Sequence, residues 1–414
     1  MLDYIRIACA VPDLKVGDVA KNAEQICVLM EQANAQNADI VLFPELAMTG
    51  YTCGDLFYQE TLHNAVEKGL LQILEISRSY PQLTAVIGLP VRMGMQLANC
   101  AAVISDGCIR GLVSKTYLPD YAGFNESRWF SAVEEGTYVT LADQEVSLGT
   151  DLLYRVGETT VGIEICEDLF APVSPSSFHA LNGAEVILNL AACPQQVGKK
   201  QERTELVKAQ SVAGKCIYAF VSAGCTESTS DLVFSGHSVI AENGTILAEN
   251  EGVVASGYML VQDCDLGRIR AERRKNATFR SCAQRYAGGM LTTVGGAEAL
   301  RSDGSLYPLQ KLPFIPSTKA ERHTYCNEIF QLQVTGLKQR LTAIGGANAV
   351  IGISGGLDST LALLVAVEAM RQLGRPTTDV YGVTMPCFGT SDRTYQNAWE
   401  LMLTLGITCK EIVI

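Results

Sequence analysis

The chain has 414 residues, of which 48% are hydrophobic and 18% charged, enough for two or three domains with large buried cores. A formal net charge of −12 excludes broad nucleic-acid binding, which needs clustered Lys and Arg, and no apolar run approaches the ~18 residues of a membrane span. The 14 cysteines follow no regular framework, and with 4 histidines and no paired CxxC knuckles they exclude a disulfide scaffold and a zinc site. A reducing, cytoplasmic setting is therefore expected. The first residues, MLDYIRIACAVPDLKVGD, lack a basic region, a long apolar stretch and a cleavage site, so no signal peptide is expected there.

In chain order, short runs rich in Val, Ile and Ala predict strands buried on at least one face. They are IRIACA (5–10), DIVLFPE (39–45), LTAVIGLP (83–90), NCAAVIS (99–105), VGIEIC (161–166), AEVILNLAA (184–192), CIYAFVSA (216–223) and HSVIAENGTILAEN (237–250). Helical spacing lies between several of them. In 16–36, Val19, Ala23, Ile26, Met30 and Ala33 share one stripe, and SFHALNGAEV (177–186) and RTELVKAQSVAGK (203–215) read similarly. ENG at 242–244 predicts a hairpin turn. The pattern is α/β layering with antiparallel hairpins.

RIRAERRKNATFR (268–280) is locally basic and reads as a solvated or interface face. Between about 280 and 318 the periodicity dissolves among Gly, Pro and Ser. A second α/β pattern follows: helix 326–345, strand 348–354, helix 360–374, strand 379–386, helix 397–406 and a strand from 407. The expected organisation is a first domain over 1–270, a linker or connecting arm over 271–324, and a second domain over 325–414, with the chain ending inside it.

EICEDLF (164–170) holds Cys166 between acidic residues. A free cysteine is most often buried and structural, and flanking carboxylates raise a thiol's pKa. A nucleophilic reading therefore needs a base and a cation from elsewhere. Glu45 follows the run DIVLF and Lys115 follows GLVS, so both stand at strand ends. Singly each reads as a solvated residue. Together the three can converge at one rim of a sheet sandwich.

FPELAMTGY, KTYLPDYAGFNE and GIEICEDL, in that order, resemble the nitrilase or carbon–nitrogen hydrolase superfamily over roughly 1–270. The resemblance implies a four-layer α-β-β-α sandwich, with Glu45 as general base, Lys115 stabilising the oxyanion and Cys166 as nucleophile. It implies that Glu126 positions the lysine and the substrate, and that Glu167 reads the substrate as in glutamine-using members. Tyr121, Cys193 and Lys199 complete the implied glutamine site. In AACPQQVGKKQER, Gly198, Lys199 and Arg203 fit the family pattern, while Cys193 stands where related glutamine hydrolases carry serine.

NAVIGISGGLDSTLALLV (348–365) is a strand, a glycine turn and a helix. Gly355 and Gly356 let backbone approach an anion, and the helix-start amides point at it. It is neither a GxxxxGK[ST] loop nor a GxGxxG fingerprint. Alone it reads equally as a structural turn. SGGLDS resembles the pyrophosphate loop of the ATP pyrophosphatase family, a Rossmann-like fold. The resemblance implies that Ser354, Gly355, Gly356, Leu357, Asp358 and Ser359 hold ATP, with Asp358 beside Mg2+. The segment from Tyr381 resembles the adenine- and phosphate-contacting part of NAD synthetases, where Met385 lies against adenine or in the core.

A nitrilase-type amidase followed by this loop resembles the glutamine-dependent NAD synthetase family. That implies glutamine, ATP and deamido-NAD(+) as substrates, ammonia passing through a tunnel, a homo-oligomer, and no nucleic-acid or membrane partner. Such enzymes continue beyond this length, so part of the second domain is expected to be missing. Two other readings stay open at this point: an amidase for another amide with an ATP-sensing second half, and a non-catalytic scaffold.

Overall fold

The computed structural model describes residues 3–254, 257–287, 292–294 (backbone only), 300–309, 311–388 and 391–414. It divides into two compact units, Met1–Pro308 and Leu309–Ile414.

The strands of the first unit are β1 (Tyr4–Val11), β2 (Ile40–Leu42), β3 (Thr84–Met93), β4 (Gln96–Ser105), β5 (Cys108–Ser114), β6 (Thr137–Leu141), β7 (Gln144–Gly149), β8 (Leu152–Val156), β9 (Thr159–Ile165), β10 (Val186–Ala191), β11 (Ile217–Ser222), β12 (Ser238–Glu242), β13 (Thr245–Glu249), β14 (Tyr258–Asp265) and β15 (Thr292–Val294). Its helices are α1 (Val19–Ala35), α2 (Glu60–Ser77), α3 (Pro175–Leu181), α4 (Lys199–Gly214), α5 (Leu266–Lys275) and α6 (Ala277–Tyr286). One sheet runs β14-β1-β2-β3-β4-β5-β7-β6 and the other β13-β12-β11-β10-β9-β8-β15.

Strand alternation builds the layers. Along β1, Ile5, Ile7, Cys9 and Val11 join a core shared with Ile163, Ile165, Leu188 and Phe220 of the second sheet. Ala8 and Ala10 point the other way, into a core with Val19, Ile26 and Met30 of α1 and Val66 and Leu70 of α2. Helices α3 and α4 cover the outer face of the second sheet, against β9 to β12. The unit is a four-layer α-β-β-α sandwich, and each fully buried Ile, Val, Leu or Phe contributes about 1.5–3 kcal/mol.

Local signals set the element ends. Asp18 caps α1 by accepting from the Lys21 amide, so the helix starts at Val19 rather than 16. The 242–244 turn is a hairpin, with Asn243 and Gly244 at φ 42° and 85°. The expected linker 271–324 contains regular structure: the end of α5, α6, β15, and a stretch at 301–306 bonded to the first sheet. Arg301 donates to Asp39 and Asn34, and the Leu306 amide donates to Asp263. Residues 288–291, 295–299 and 310 of that linker lie outside the described residues. The basic stretch is paired: Arg270 bridges Glu185 and Asp3, and Arg273 donates to the carbonyls of Lys215 and Gly214.

The second unit has helices α7 (Lys319–Ala343), α8 (Leu357–Gln372) and α9 (Asp392–Thr404) and strands β16 (Ala349–Gly352), β17 (Val380–Thr384) and β18 (Thr408–Glu411). The strands form a parallel sheet in the order β16-β17-β18. Leu363, Ala366 and Met370 of α8 pack with Val334, Val380 and Met402 as its core. A capping box between Thr318 and Glu321 starts α7 earlier than its apolar spacing suggests. Among the described residues no helix is long and apolar enough to cross a membrane.

Candidate active site

Strand β2 ends at Leu42, and the chain turns out of the sheet through Pro44, with Leu46 at φ 52°. This turn lies directly over Gly88 of β3. A Cβ there would come within 2.3 Å of the Leu46 amide nitrogen and 2.4 Å of the Pro44 carbonyl oxygen, so only glycine fits. The turn aims Glu45 inward. Its Oε1 accepts from Asn99 Nδ2 and from Lys115 Nζ, each at 2.7 Å.

Lys115 follows the last residue of β5, and its amide donates to the Asn99 carbonyl at 2.9 Å. Its ammonium also donates to Glu126 Oε1 at 2.6 Å, and Tyr51 OH donates to that same oxygen at 2.7 Å. Glu45, Lys115 and Glu126 are each 1% exposed. Burial by itself pulls the Lys115 ammonium pKa down. Glu126 and Glu45 outweigh it, so the amine is held charged, well above its ordinary range. Burial lifts the Glu126 carboxyl to about 7, against the lowering pull of Lys115. Among the described residues Oε2 of Glu45 and of Glu126 have no hydrogen-bond partner, so acceptor capacity remains in a water-poor site.

Cys166 is the first residue beyond β9 and adopts φ 45°, which swings it out of the strand line. Its amide donates to Asn189 Oδ1 at 3.1 Å, and Asn189 Nδ2 donates to Tyr218 OH at 3.0 Å. Tyr218 OH in turn donates to Glu164, which also accepts from Ser174 Oγ at 2.6 Å and the Ser176 amide at 2.8 Å. Asp168 ties this turn to the lysine loop: it accepts from the Ile165 and Tyr117 amides, both at 2.9 Å. The Cys166 Sγ lies 3.5 Å from Cys193 Sγ. The Cys193 contact, burial and Glu45 push the Cys166 thiol well above its ordinary value, while Lys115 pulls it down. The resting group is therefore a thiol, and a base must take its proton at attack.

The Cys166 thiol opens on a cavity of about 130 Å³ lined by Tyr121, Phe124, Glu167, Cys193, Lys199 and Arg203, among others. Tyr121 OH donates to Glu167 Oε1 at 2.7 Å. Arg203 is buried beneath the wall and held by Pro194 O, Gln195 Oε1 and His237 Nδ1 at 3.2, 2.8 and 3.1 Å. Tyr121, Glu167, Cys193 and Lys199 thus gather around Cys166. Glu126 is not on the cavity wall but sits with Lys115 and Tyr51. Sequence reasoning missed Asn99, Tyr51, Asp168, Asn189 and Glu227. Glu227 holds the Tyr51 segment through the Tyr51 and Thr52 amides at 2.7 and 3.1 Å. Asp168 was visible only as an acidic neighbour in EICEDLF.

In the second unit SGGLDST bridges β16 and α8. Gly355 has φ 81°, and a Cβ on it would stand 2.2 Å from the Thr394 carbonyl oxygen. The Ser354 hydroxyl meets Ser359 Oγ at 3.1 Å and accepts from the Gly356 amide at 3.3 Å. Leu357 and Asp358 open the first turn of α8 and are exposed. Met385 is half-exposed and lies over Gly352, where a Cβ would meet its Cε at 3.1 Å.

A family profile described as carbon-nitrogen hydrolase matches residues 6–274. The chain belongs to that family. A second profile, NAD synthase, matches residues 329–414, beyond the carbon–nitrogen hydrolase unit. A glutamine-dependent NAD(+) synthetase of Mycobacterium leprae is 36% identical over 99% of this chain and 61% of its own length. One from Aquifex aeolicus is 30% identical over 97% and 64%. This chain therefore spans about three fifths of the length of these curated relatives.

Solved structures agree on the fold. A glutamine-dependent NAD+ synthetase from Acinetobacter baumannii, solved with adenosine diphosphate, superposes at TM-score 0.56 and 22% identity, covering 100% of this chain and 65% of that one. A Helicobacter pylori carbon–nitrogen hydrolase superposes at 0.54 and 20% identity, covering 67% of this chain and 94% of that one.

Proposed function

We propose that this chain carries the glutamine-hydrolysing site, and the ATP-holding loop, of a glutamine-dependent NAD(+) synthetase. The observation that carries the reading is the buried Glu45–Lys115–Glu126 cluster beside a cavity floored by Cys166, on a chain whose second unit presents SGGLDS at a strand-to-helix turn.

In this reading Cys166 Sγ attacks the side-chain carbonyl carbon of glutamine while Glu45 takes the thiol proton. General base catalysis of this kind is worth about 10²–10⁴ in rate. The oxyanion forms beside the Lys115 ammonium, a contribution of about 10²–10³. Glu45 returns the proton to the leaving nitrogen, and ammonia departs. Glu45 then deprotonates water, which hydrolyses the γ-glutamyl thioester and releases glutamate and the thiol. Tyr121, Glu167 and Lys199 offer a hydroxyl, an anion and a cation suited to the α-amino acid end of the substrate. In the second unit the nicotinate carboxylate of deamido-NAD(+) attacks the α-phosphorus of ATP, pyrophosphate leaves, and ammonia then displaces AMP from the acyl adenylate to give NAD(+).

The loop residues fit a phosphate-bound Mg2+. Asp358 would offer one hard carboxylate oxygen to such an ion, which suits a cation carried in with the nucleotide phosphates. When bound, the ion would offset triphosphate charge. A thiol nucleophile and 14 cysteines support a reducing, cytoplasmic setting. The test is ammonia release from a panel of amides by the full-length protein, with and without ATP and deamido-NAD(+). Glutamine should be the preferred amide, and NAD(+) should form only with both nucleotides. Preference for another amide, or no NAD(+), overturns the reading.

A further inference from the structure

We infer that Cys166 and Cys193 form a reversible disulfide under hydroperoxide, so that the nucleophile's pocket is also an oxidative modification site. The inference rests on the proposed role of Cys166 as nucleophile. Two observations carry it. The sulfurs already stand 3.5 Å apart, about 1.5 Å from the length of a disulfide bond. Both thiols also line the same cavity, so a reagent as small as hydrogen peroxide reaches Cys166 with Cys193 beside it. Other buried cysteines, such as Cys9 and Cys100, sit fully enclosed in apolar cores.

The surroundings hold both partners in place. Cys166 is fixed by its amide bond to Asn189, and Cys193 by its amide bond to Ser222 Oγ at 2.9 Å. Neither bond uses the sulfur. Glu45 accepts the Cys166 proton, as it does for glutamine, and the thiolate attacks one peroxide oxygen. The O–O bond breaks, giving a Cys166 sulfenic acid and hydroxide, which takes the proton back from Glu45 as water. The Cys193 sulfur then attacks the sulfenic sulfur. The S–S bond forms, the S–O bond breaks, and the leaving hydroxide takes the Cys193 proton as a second water. Two thiols and one hydrogen peroxide thus give one disulfide and two waters, and a dithiol returns the two electrons by exchange. Cys193 intercepts the sulfenic acid before further peroxide carries it to the irreversible sulfinic state.

The experiment treats the full-length protein with hydrogen peroxide, then follows glutamine hydrolysis and maps non-reduced peptides by mass spectrometry, before and after dithiothreitol. Each variant is compared with its own untreated rate. Wild type should lose most of its activity, show a 166–193 cross-linked peptide pair two hydrogens lighter, and recover with dithiothreitol. Cys193→Ser keeps the amide bond to Ser222; it should lose activity under the same peroxide, carry sulfinic acid at 166, and fail to recover. Cys193→Ala should behave the same way. Inactivated wild type without the 166–193 pair, wild type that keeps its activity, or variants that recover as fully as wild type overturn the inference. Untreated protein that releases no ammonia from glutamine would instead sink the functional reading, with the cross-link still measurable.

Discussion

Lys115 Nζ and Glu126 Oε1 meet at 2.6 Å with both side chains shut off from water. The same amine also holds Glu45, so one cation compensates two buried carboxylates. Removing one partner of a buried pair costs about 3–5 kcal/mol because the remaining charge is left in a poor solvent. Lys115→Met should therefore destabilise the first unit by roughly that amount at pH 8 and abolish measurable glutamine hydrolysis. The loss should be smaller at pH 5. Burial already lifts the Glu126 carboxyl to about 7, and without the lowering pull of Lys115 it rises further, so the variant takes up a proton there. Urea unfolding of both proteins at the two pH values checks this; an equal loss at both would contradict it.

Asp168 joins two loops that lie far apart in sequence, and burial raises its carboxyl to about 7 from an ordinary 3.8. A carboxyl whose folded pKa is raised contributes stability below its unfolded pKa and loses it as pH climbs to the folded value. The window is therefore about pH 4 to 7. Asp168→Asn keeps the shape but supplies one acceptor oxygen where the wild type uses two, so it should cost about 1–3 kcal/mol. That deficit should shrink as pH rises through the window, because only the wild type pays for ionising. Differential unfolding from pH 4 to 7.5 reads the trend. A deficit that grows with pH would rule out a raised Asp168.

Cys166→Ala should remove glutamine hydrolysis while costing only about 1 kcal/mol, since a thiol is small, its one hydrogen-bonding contact among the described residues is to Cys193 Sγ at 3.5 Å, and the Cys166 amide bond to Asn189 stays in place. In the full-length protein the same variant should still make NAD(+) when ammonium salt is supplied, because SGGLDS belongs to a separate compact unit. Residual glutaminase above a few percent of the wild-type rate, or no rescue by ammonium, would refute the division of labour.

The core of the sandwich was legible because its central strands are buried on both faces and read as continuous apolar runs, as in AEVILNLAA. Glu45, Lys115 and Cys166 each lie at or just past the end of such a run, but singly each reads as an ordinary residue, and it was the resemblance of the segments around them that drew them together. Strands β6 and β7 were not, since they pair at the sheet edge and interleave polar residues that resemble loop composition. Helix α2 carries clear spacing at Leu62, Val66, Leu70 and Ile73, yet Gln59 gives no side-chain cap to mark its start. Asp168 and Asn189 act through partners 51 and 23 residues away, a relation that only strand register creates. The stretch at 301–306 reads as structureless because its order comes from Arg301 and the Leu306 amide bonding other elements rather than from its own period.

The last prediction concerns Gly355 and Asp358, which are expected to fail in different ways. Gly355 sits at φ 81°, and a Cβ would press to 2.2 Å of the Thr394 carbonyl, a backbone atom that cannot rotate aside. Gly355→Ala should therefore disturb the start of α9 as well as the loop, lowering stability of the second unit by about 1–3 kcal/mol. Asp358 is exposed in the first turn of α8, where a carboxylate gains about 0.3–1 kcal/mol from the helix dipole. Asp358→Ala should thus leave the fold almost unchanged. Its carboxylate repels a triphosphate unless a cation lies between them, so its removal should weaken Mg2+-dependent AMP formation in the full-length protein while glutamine hydrolysis at Cys166 persists. Thermal unfolding separates the two variants, and AMP formation titrated with Mg2+ gives the functional readout. An Asp358→Ala protein with normal adenylylation and normal Mg2+ dependence would show that the loop holds the nucleotide without this carboxylate.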